Sequence, residues 1–267
     1  RNDITRLRSN NVISHGNVYF YLLSIFTKIS GSQNPQHIYF LFLMQHDFGG
    51  LAAADKTAAA VGEWMRRYKV PAYDEATGKG LVRHVYVRVN RKGESLCCVV
   101  INGRQAPREP ELAAYVCAAV PHTAGVLVNS NTKRGNVILG EKYRTLWGRD
   151  YLMDTLCGLE FKLSVPSFYQ VNRDQAEALY GKALDYAGLT GRETVLDLYC
   201  GIGTITLCLA KRAGRVIGAE IVPAAIRDAK ENAARNHIEN AEFFCGDAAE
   251  TAARLEAEGL RPDIITV

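Results

Sequence analysis

Glu193-Thr194-Val195-Leu196-Asp197-Leu198-Tyr199-Cys200-Gly201-Ile202-Gly203-Thr204 is the stretch on which the fold turns. An apolar, β-rich run delivers the backbone into a glycine turn that opens a helix, the order expected of one unit of an α/β sheet. Residues without a Cβ let backbone amides approach a ligand, and the helix that follows turns its unpaired N–H groups towards the same place. Gly-x-Gly alone is a weak motif, as common in ordinary turns, and in this context it also suits a dinucleotide. Two details narrow it. Thr206 stands where a third glycine would complete Gly-x-Gly-x-x-Gly, and the next apolar run, Arg215–Ala219, ends on an acid, Glu220.

A carboxylate at that strand end faces the crevice in which open α/β sheets bind ligands and can accept both hydrogens of a ribose diol. Its bland alternative is a solvated loop acid. One strand later, Ala241–Cys245 leads into Gly246-Asp247, whose acid can accept from an adenine amino group, although a turn aspartate is the commoner use. A glycine turn followed by two such acids points to S-adenosyl-L-methionine. The intervening segments keep the register. Pro223 suits a first helical position, and Ile226, Ala229 and Ala233 follow at helical spacing, so a helix is expected over 223–236. Asn172-Arg173-Asp174-Gln175 has a capping-box pattern, and Ala176, Leu179, Tyr180, Ala183, Leu184 and Ala187 form one apolar stripe that Gly188 stops. From residue 172 the order is helix, strand, helix, strand, helix, strand, helix, strand, the last over 263–267.

Ser167-Phe168-Tyr169-Gln170-Val171-Asn172, the segment from Asp197 to Thr204, Glu220-Ile221-Val222-Pro223, Asn232-Ala233 and Gly246-Asp247-Ala248 together resemble the RumA/TrmA-type RNA (uracil-5-)-methyltransferases, and within them the bacterial 23S ribosomal branch. The resemblance runs from about Asp55 to Val267, and Ser-Phe-x-Gln-Val-Asn ahead of Asp-x-x-Cys-Gly is its specific part. It implies an α/β class I, Rossmann-like methyltransferase core over 155–267, truncated at its C-terminus, after a mixed α+β central domain over 51–154. It implies S-adenosyl-L-methionine as cofactor, ribosomal RNA as substrate and a cytoplasmic enzyme. Position by position, Gln170 is expected to touch the cofactor, Tyr199, Gly201, Gly203 and Thr204 to line its methionine side, Glu220 to hold the ribose and Asp247 the adenine. Cys200 invites a catalytic reading, but the resemblance puts that position in the packing of the cofactor loop.

C5 of uracil is too poor a nucleophile to be methylated directly. In the family a cysteine adds to C6, C5 then takes the methyl from the sulfonium, and a carboxylate removes the C5 proton before the cysteine leaves. Neither that cysteine nor that base has a matching position here, and the family's Asp-Pro-Pro-Arg motif is expected immediately past Val267. The chain therefore reads as a cofactor half without its chemical half. Two other readings compete: a different S-adenosyl-L-methionine-dependent methyltransferase of RNA or a small molecule, and a catalytically silent RNA-binding fragment.

Charge suggests an RNA footprint, although loosely distributed charges are more often just a soluble surface. The net formal charge is only +4, yet residues 1–150 hold 20 Lys and Arg against 11 acids while residues 151–267 hold 12 against 17. A basic half thus precedes an acidic one. Arg83, Arg88, Arg91 and Lys92, along an expected hairpin of Leu81–Val89 and Ser95–Ile101, and Lys133 and Arg134 in a later turn, are the candidates for phosphate contact. A helix is expected over Glu109–Ala119, and His84 is given no chemistry. The seven cysteines contain no Cys-x-x-Cys pair, so no metal site is expected and the thiols read as reduced.

Residues 1–50 break the pattern. They contain no Ala and no Glu, whereas residues 52–60 hold six Ala. Their apolar runs, Val18–Phe26 and Ile38–Met44, are too short to span a bilayer and are parted by Lys28 and a polar stretch, so no membrane association is expected. The segment is expected to be foreign to the domain and to add little to the fold, with a two-strand extension as the competing reading.

Overall fold

The computed structural model describes residues 12–15, 18–27, 36–42, 48–170 and 172–267. They fall into two compact units, the first ending at Leu152 and the second running from Met153 to Val267.

In the first unit seven strands form one sheet in chain order: β1 (Val12–His15), β2 (Val18–Thr27), β3 (Gln36–Phe42), β4 (Val82–Val89), β5 (Ser95–Ile101), β6 (Thr123–Ser130) and β7 (Lys142–Gly148). The parallel pairs are β3 with β4 and β5 with β6, and these are the two connections that carry a helix, α1 (Phe48–Arg67) and α2 (Glu109–Ala119). A parallel pair needs such a crossover, whereas antiparallel neighbours need only a turn. Both helices cover the same face. Val85, Val87 and Val89, then Cys97, Val99 and Ile101, then Val126 and Val128 alternate along their strands to meet Ala58, Val61 and Trp64 of α1 and Leu112 and Val116 of α2. The expected hairpin and helix are both present. Asn90 closes the hairpin turn by accepting from the N–H groups of Lys92 (3.0 Å) and Glu94 (2.9 Å), and Gly93 takes a left-handed φ of 78°.

Within residues 1–50, expected to be foreign to the domain and to add little to the fold, the described residues up to Phe42 form strands. Three strands rather than two occupy this segment, and β3 joins β4 in parallel register from Tyr39↔His84 to Phe42↔Val87. Their runs of β-branched and aromatic residues suit a sheet whatever the compositional break, and the Ala-rich stretch that follows is simply helix α1. Lys28, residues 30–35, Leu43 and Met44 lie outside the described residues.

Strand β8 (Tyr151–Leu156), which crosses the boundary between the units, pairs with β9 (Leu159–Ser164) of the second unit in a two-stranded sheet. The second unit continues through α3 (Arg173–Ala187), β10 (Thr194–Leu198), α4 (Thr204–Ala210), β11 (Arg215–Glu220), α5 (Pro223–Arg235), β12 (Ala241–Cys245), α6 (Ala248–Ala257) and β13 (Ile264–Thr266). The four later strands are all parallel in the order β12-β11-β10-β13, with helices between them, which is the Rossmann-like α/β arrangement. Alternation splits the core in two. Val195 and Val216 face Leu209, Ala210 and the α3 residues Leu184 and Ala187, while Leu196 and Ile217 face Leu255 and Ala252 of α6. Helix α3 begins where its cap was expected, with the Asn172 side chain accepting from the Gln175 N–H at 3.1 Å, and ends at Gly188 with φ 58°. Leu179 departs from the expected stripe and is exposed, because the face of α3 that packs is set by Ala176 and Tyr180.

One glycine fixes how closely the layers meet over the sheet. A Cβ on Gly218, in the middle of β11, would stand 2.9 Å from the Cys200 sulfur and 2.9 Å from a Phe243 ring carbon. Gly218→Ala is expected to lower unfolding free energy by about 1–3 kcal/mol, the usual range for overpacking. Urea unfolding that superimposed on the wild type would show that the Cys200 loop can shift freely.

Candidate functional site

The site is built at the carboxyl ends of β10, β11 and β12. Strand β10 leaves the sheet through Tyr199 at φ 69°, Gly201 at φ 55° and Gly203 at φ 84°, while Cys200 and Ile202 between them are buried. A left-handed tyrosine costs free energy that a glycine would not, and such strain gathers at ligand sites. Tyr199 is 69% exposed. A Cβ on Gly201 would meet nothing within 4 Å, so that glycine leaves open space, whereas one on Gly203 would press on the Phe243 ring at 3.3 Å. The two glycines therefore act differently. Gly203 lets the chain pack on the sheet, and Gly201 keeps the outer side of the loop clear.

Glu220, at the end of β11, is oriented by backbone. Its Oε2 accepts from the Gly201 N–H (3.2 Å) and its Oε1 from the Val222 N–H (2.9 Å), so each oxygen keeps accepting capacity for a ligand. Its own carbonyl accepts from the Gly246 N–H (3.0 Å), which draws the end of β12 alongside. Asp247 follows as the N-cap of α6, where Oδ1 accepts from the N–H groups of Ala249 (2.9 Å) and Glu250 (3.1 Å). The Thr204 hydroxyl pairs with the Tyr180 hydroxyl at 2.9 Å, tying α4 to α3. Gln170 is half-buried on the irregular stretch after Ser167, and Val171 beside it lies outside the described residues. Of the residues singled out from sequence, Tyr199, Gly201, Gly203, Thr204, Glu220 and Asp247 thus share one rim. Gln170 lies on a separate segment.

Asp197 is the residue that sequence reasoning passed over. It is 3% exposed at the end of the central strand, where Thr206 Oγ1 donates to one carboxylate oxygen and Thr266 Oγ1 to the other, the latter at 3.0 Å. The signal in the sequence is Thr206, which stands in place of a third glycine. Burial pushes the Asp197 carboxyl up to about 6, against the two hydroxyls, which pull it down. Cys200 lies beneath the loop, its thiol pushed up by burial and then by Asp197 and Glu220, which suits packing rather than attack.

Two of the six candidate phosphate contacts are corrected. Arg83 is 4% exposed, with Nη1 donating to the carbonyls of Asn131 (3.0 Å) and Lys133 (2.8 Å) and its guanidinium 4.5 Å from the centre of the Tyr73 ring. Arg88 is also buried and donates to the Tyr86 hydroxyl at 2.7 Å. Both sit on a strand whose two faces are covered, so neither reaches solvent. Arg91, Lys92, Lys133 and Arg134 are exposed on turns, Lys133 paired with Glu141 at 2.7 Å.

Elsewhere, a concavity of about 650 Å³ lies between α5 and β12, lined by Lys230, His237 and Glu242 among others. It opens along the flank of the outer strand rather than at the strand ends where α/β sheets bind ligands. Among the described residues no cluster of three or more His, Cys, Asp or Glu could hold a metal ion, and no helix is long and apolar enough to cross a membrane.

Comparison with known proteins agrees with this geometry. A family model described as "Methyltransferase domain" matches residues 189–266, the span that carries the crevice. A protein of Halalkalibacterium halodurans named an uncharacterized RNA methyltransferase is 44% identical over 214 residues, covering 80% of this chain and 47% of that protein. One of the same description from Clostridium acetobutylicum is 35% identical over 273 residues, covering 99% of this chain and 59% of the relative, so this alignment takes in the N-terminal strands. The chain spans about half the length of these curated relatives. Among solved structures, a Pyrococcus abyssi tRNA (uracil-54, C5)-methyltransferase in complex with S-adenosyl-L-homocysteine matches with a TM-score of 0.59 at 23% identity, over 73% of this chain and 46% of that one, a likeness of fold. The second unit is thus a methyltransferase core of Rossmann-like fold, and cores of this class take S-adenosyl-L-methionine as methyl donor.

The raised Asp197 carboxyl gives a pH prediction. The folded protein holds its proton to about 6 while the unfolded chain releases it near 3.8, so this group's contribution is complete below that lower value, declines as pH rises between the two, and is lost above about 6. Asp197→Asn keeps partners for both threonine hydroxyls and removes the titration. Its stability relative to wild type is expected to climb by about 1–3 kcal/mol between pH 4 and 7. A pH-independent difference in denaturant unfolding would refute the assignment.

Proposed function

We propose that this chain is the cofactor-binding part of an S-adenosyl-L-methionine-dependent RNA methyltransferase that acts on C5 of uridine in 23S ribosomal RNA. The observation that carries the reading is Glu220, a carboxylate fixed by the Gly201 and Val222 amides at the mouth of an open glycine loop. In that position it can receive both hydroxyls of a ribose while Tyr199 and the loop backbone flank the amino-acid end. Asp247 is already a helix cap through one oxygen, and its adenine contact is assigned to the other. Relatives named RNA methyltransferases support the RNA substrate. The uridine and ribosomal assignments rest on the Ser167–Asn172 and Asp197–Thr204 resemblance.

Bound S-adenosyl-L-methionine supplies an electrophilic methyl group on a sulfonium. In this reading the residues of this chain hold and orient it, and the four buried cysteines are not the activated thiolate that uracil C5 chemistry requires. Cys97, Cys98, Cys200 and Cys208 are buried, and burial pushes each thiol up, Cys97 to about 12. On the strength of the resemblance, the nucleophile and the proton-abstracting carboxylate are assigned outside these residues. For RNA contact the exposed turn cations Arg91, Lys92, Lys133 and Arg134 remain, on the basic first unit.

Glu220→Ala is expected to weaken S-adenosyl-L-methionine binding by about 1–3 kcal/mol, the scale of a lost charge-assisted pair. Unchanged affinity in calorimetry would remove the ribose role. For the reaction, labelled methyl transfer to unmodified ribosomal RNA and to transfer RNA is measured with this chain and with a version extended to the length of its relatives. Transfer to ribosomal uridine C5 by the extended protein alone is the expected result. Transfer to transfer RNA alone would overturn the ribosomal assignment. Activity in the 267-residue chain would bring an internal thiol back, Cys245 first because it is exposed.

A further inference from the structure

Helix α5 carries a polar row into the second unit. Asp228, Asn232 and the C-capping Asn236 recur every four residues, and each takes hold of β9. Asn236 donates through Nδ2 to the Glu160 carbonyl (2.7 Å) and accepts from the Glu160 N–H through Oδ1 (2.8 Å). Asn232 Oδ1 accepts from the Lys162 N–H (2.8 Å). Asp228 Oδ2 accepts from the hydroxyls of Ser164 and Ser167, each at 3.1 Å. Residues 160, 162 and 164 alternate along a strand whose only sheet partner among the described residues is β8, so a helix serves that edge in place of a third strand.

Asn232 does more than the other two. It is 0% exposed, and its Nδ2 donates to the carbonyl of Ile202, between the two glycines of the crevice loop, at 3.2 Å. Asparagine is a poor helix former, and a buried amide is costly unless both its ends are bonded. Here both ends are, one to β9 and one to the loop. The same strand leads through the Ser164–Ser167 turn, gripped by Asp228, to Gln170. The crevice loop and the strand that leads to Gln170, more than 30 residues apart in sequence, are thus referred to one helix.

We propose that Asn232 is a positioning residue for cofactor binding, which locks the Gly201–Gly203 loop to β9 so that the loop amides and the Gln170 segment keep a fixed separation. This rests on the cofactor reading given above. Asn232→Asp retains the acceptor for the Lys162 N–H and turns the donor to Ile202 into a second acceptor. Asn236→Ala removes a neighbouring rung that does not touch the loop.

Two readouts are taken on each variant: amide hydrogen exchange of the peptide covering residues 199–204, followed by mass spectrometry, and S-adenosyl-L-methionine affinity by calorimetry. Asn232→Asp is expected to speed exchange in that peptide and to weaken binding, each about tenfold. Asn236→Ala is expected to lower the thermal midpoint while leaving both readouts at wild-type values. Wild-type exchange and affinity in Asn232→Asp would overturn the proposal, as would equal losses in both variants, which would make the effect one of global stability. Should Asn232→Asp fail to fold, Asn232→Ser, too short to reach Ile202, carries the same two measurements. If the wild-type chain itself does not bind the cofactor, the proposed function fails, whereas the exchange experiment still decides whether Asn232 holds the loop.

Discussion

One buried carboxylate organises the second unit. Asp197 ends the central strand, and its two oxygens are taken by hydroxyls from different directions, Thr206 on the first turn of α4 and Thr266 on the neighbouring strand β13. Strand, helix start and neighbouring strand are thereby joined just below the glycine loop. A paired burial of this kind is a weak source of stability, since the desolvation of the acid offsets much of what the hydrogen bonds return. Its effect is on geometry: α4 cannot slide along the sheet without uncoupling Thr206, so the loop that precedes it has a fixed floor.

Above that floor the loop is shaped by opposite demands. Cys200 and Ile202 point into packing, and Gly218 gives the Cys200 sulfur the room to do so. Tyr199 and Gly201 are turned outward with left-handed backbone. The inner residues make the loop rigid, and the outer ones leave its amides accessible. Glu220 then reads the loop's position directly, because one of its two orienting hydrogen bonds comes from Gly201. A carboxylate placed in this way is oriented by the same residues that would flank the ligand.

Much of this was legible in sequence because it rests on local rules. The strand-turn-helix at 194–210, the acid at the end of β11, the Asn172 and Gly188 ends of α3, and the Pro223 start of α5 are each written within a few residues of where they act. What escaped depends on partners far along the chain. Asp197 needs Thr266, 69 residues away, to be seen as a buried node. Arg83 reads as a surface cation until the carbonyls at 131 and 133 fold over it. The N-terminal strands escape for another reason: composition is a poor proxy for membership of a fold, because sheet pairing asks only for an edge and a β-forming sequence.

The match between α5 and β9 behaves as a vernier. Four residues of helix advance about 6.0 Å and two residues of strand about 6.6 Å, so successive rungs drift apart by about 0.6 Å. Three rungs are tolerable within ordinary hydrogen-bond scatter. The polar row spans the whole of β9, whose residues 160, 162 and 164 are all engaged. It is also intolerant of length change, since one residue added to α5 between Asp228 and Asn236 would swing everything beyond it by about 100° and leave the edge of β9 without its partners. Segment length here is set by a commensurability condition, and natural variation in this part of the fold is expected to proceed by substitution and not by insertion or deletion.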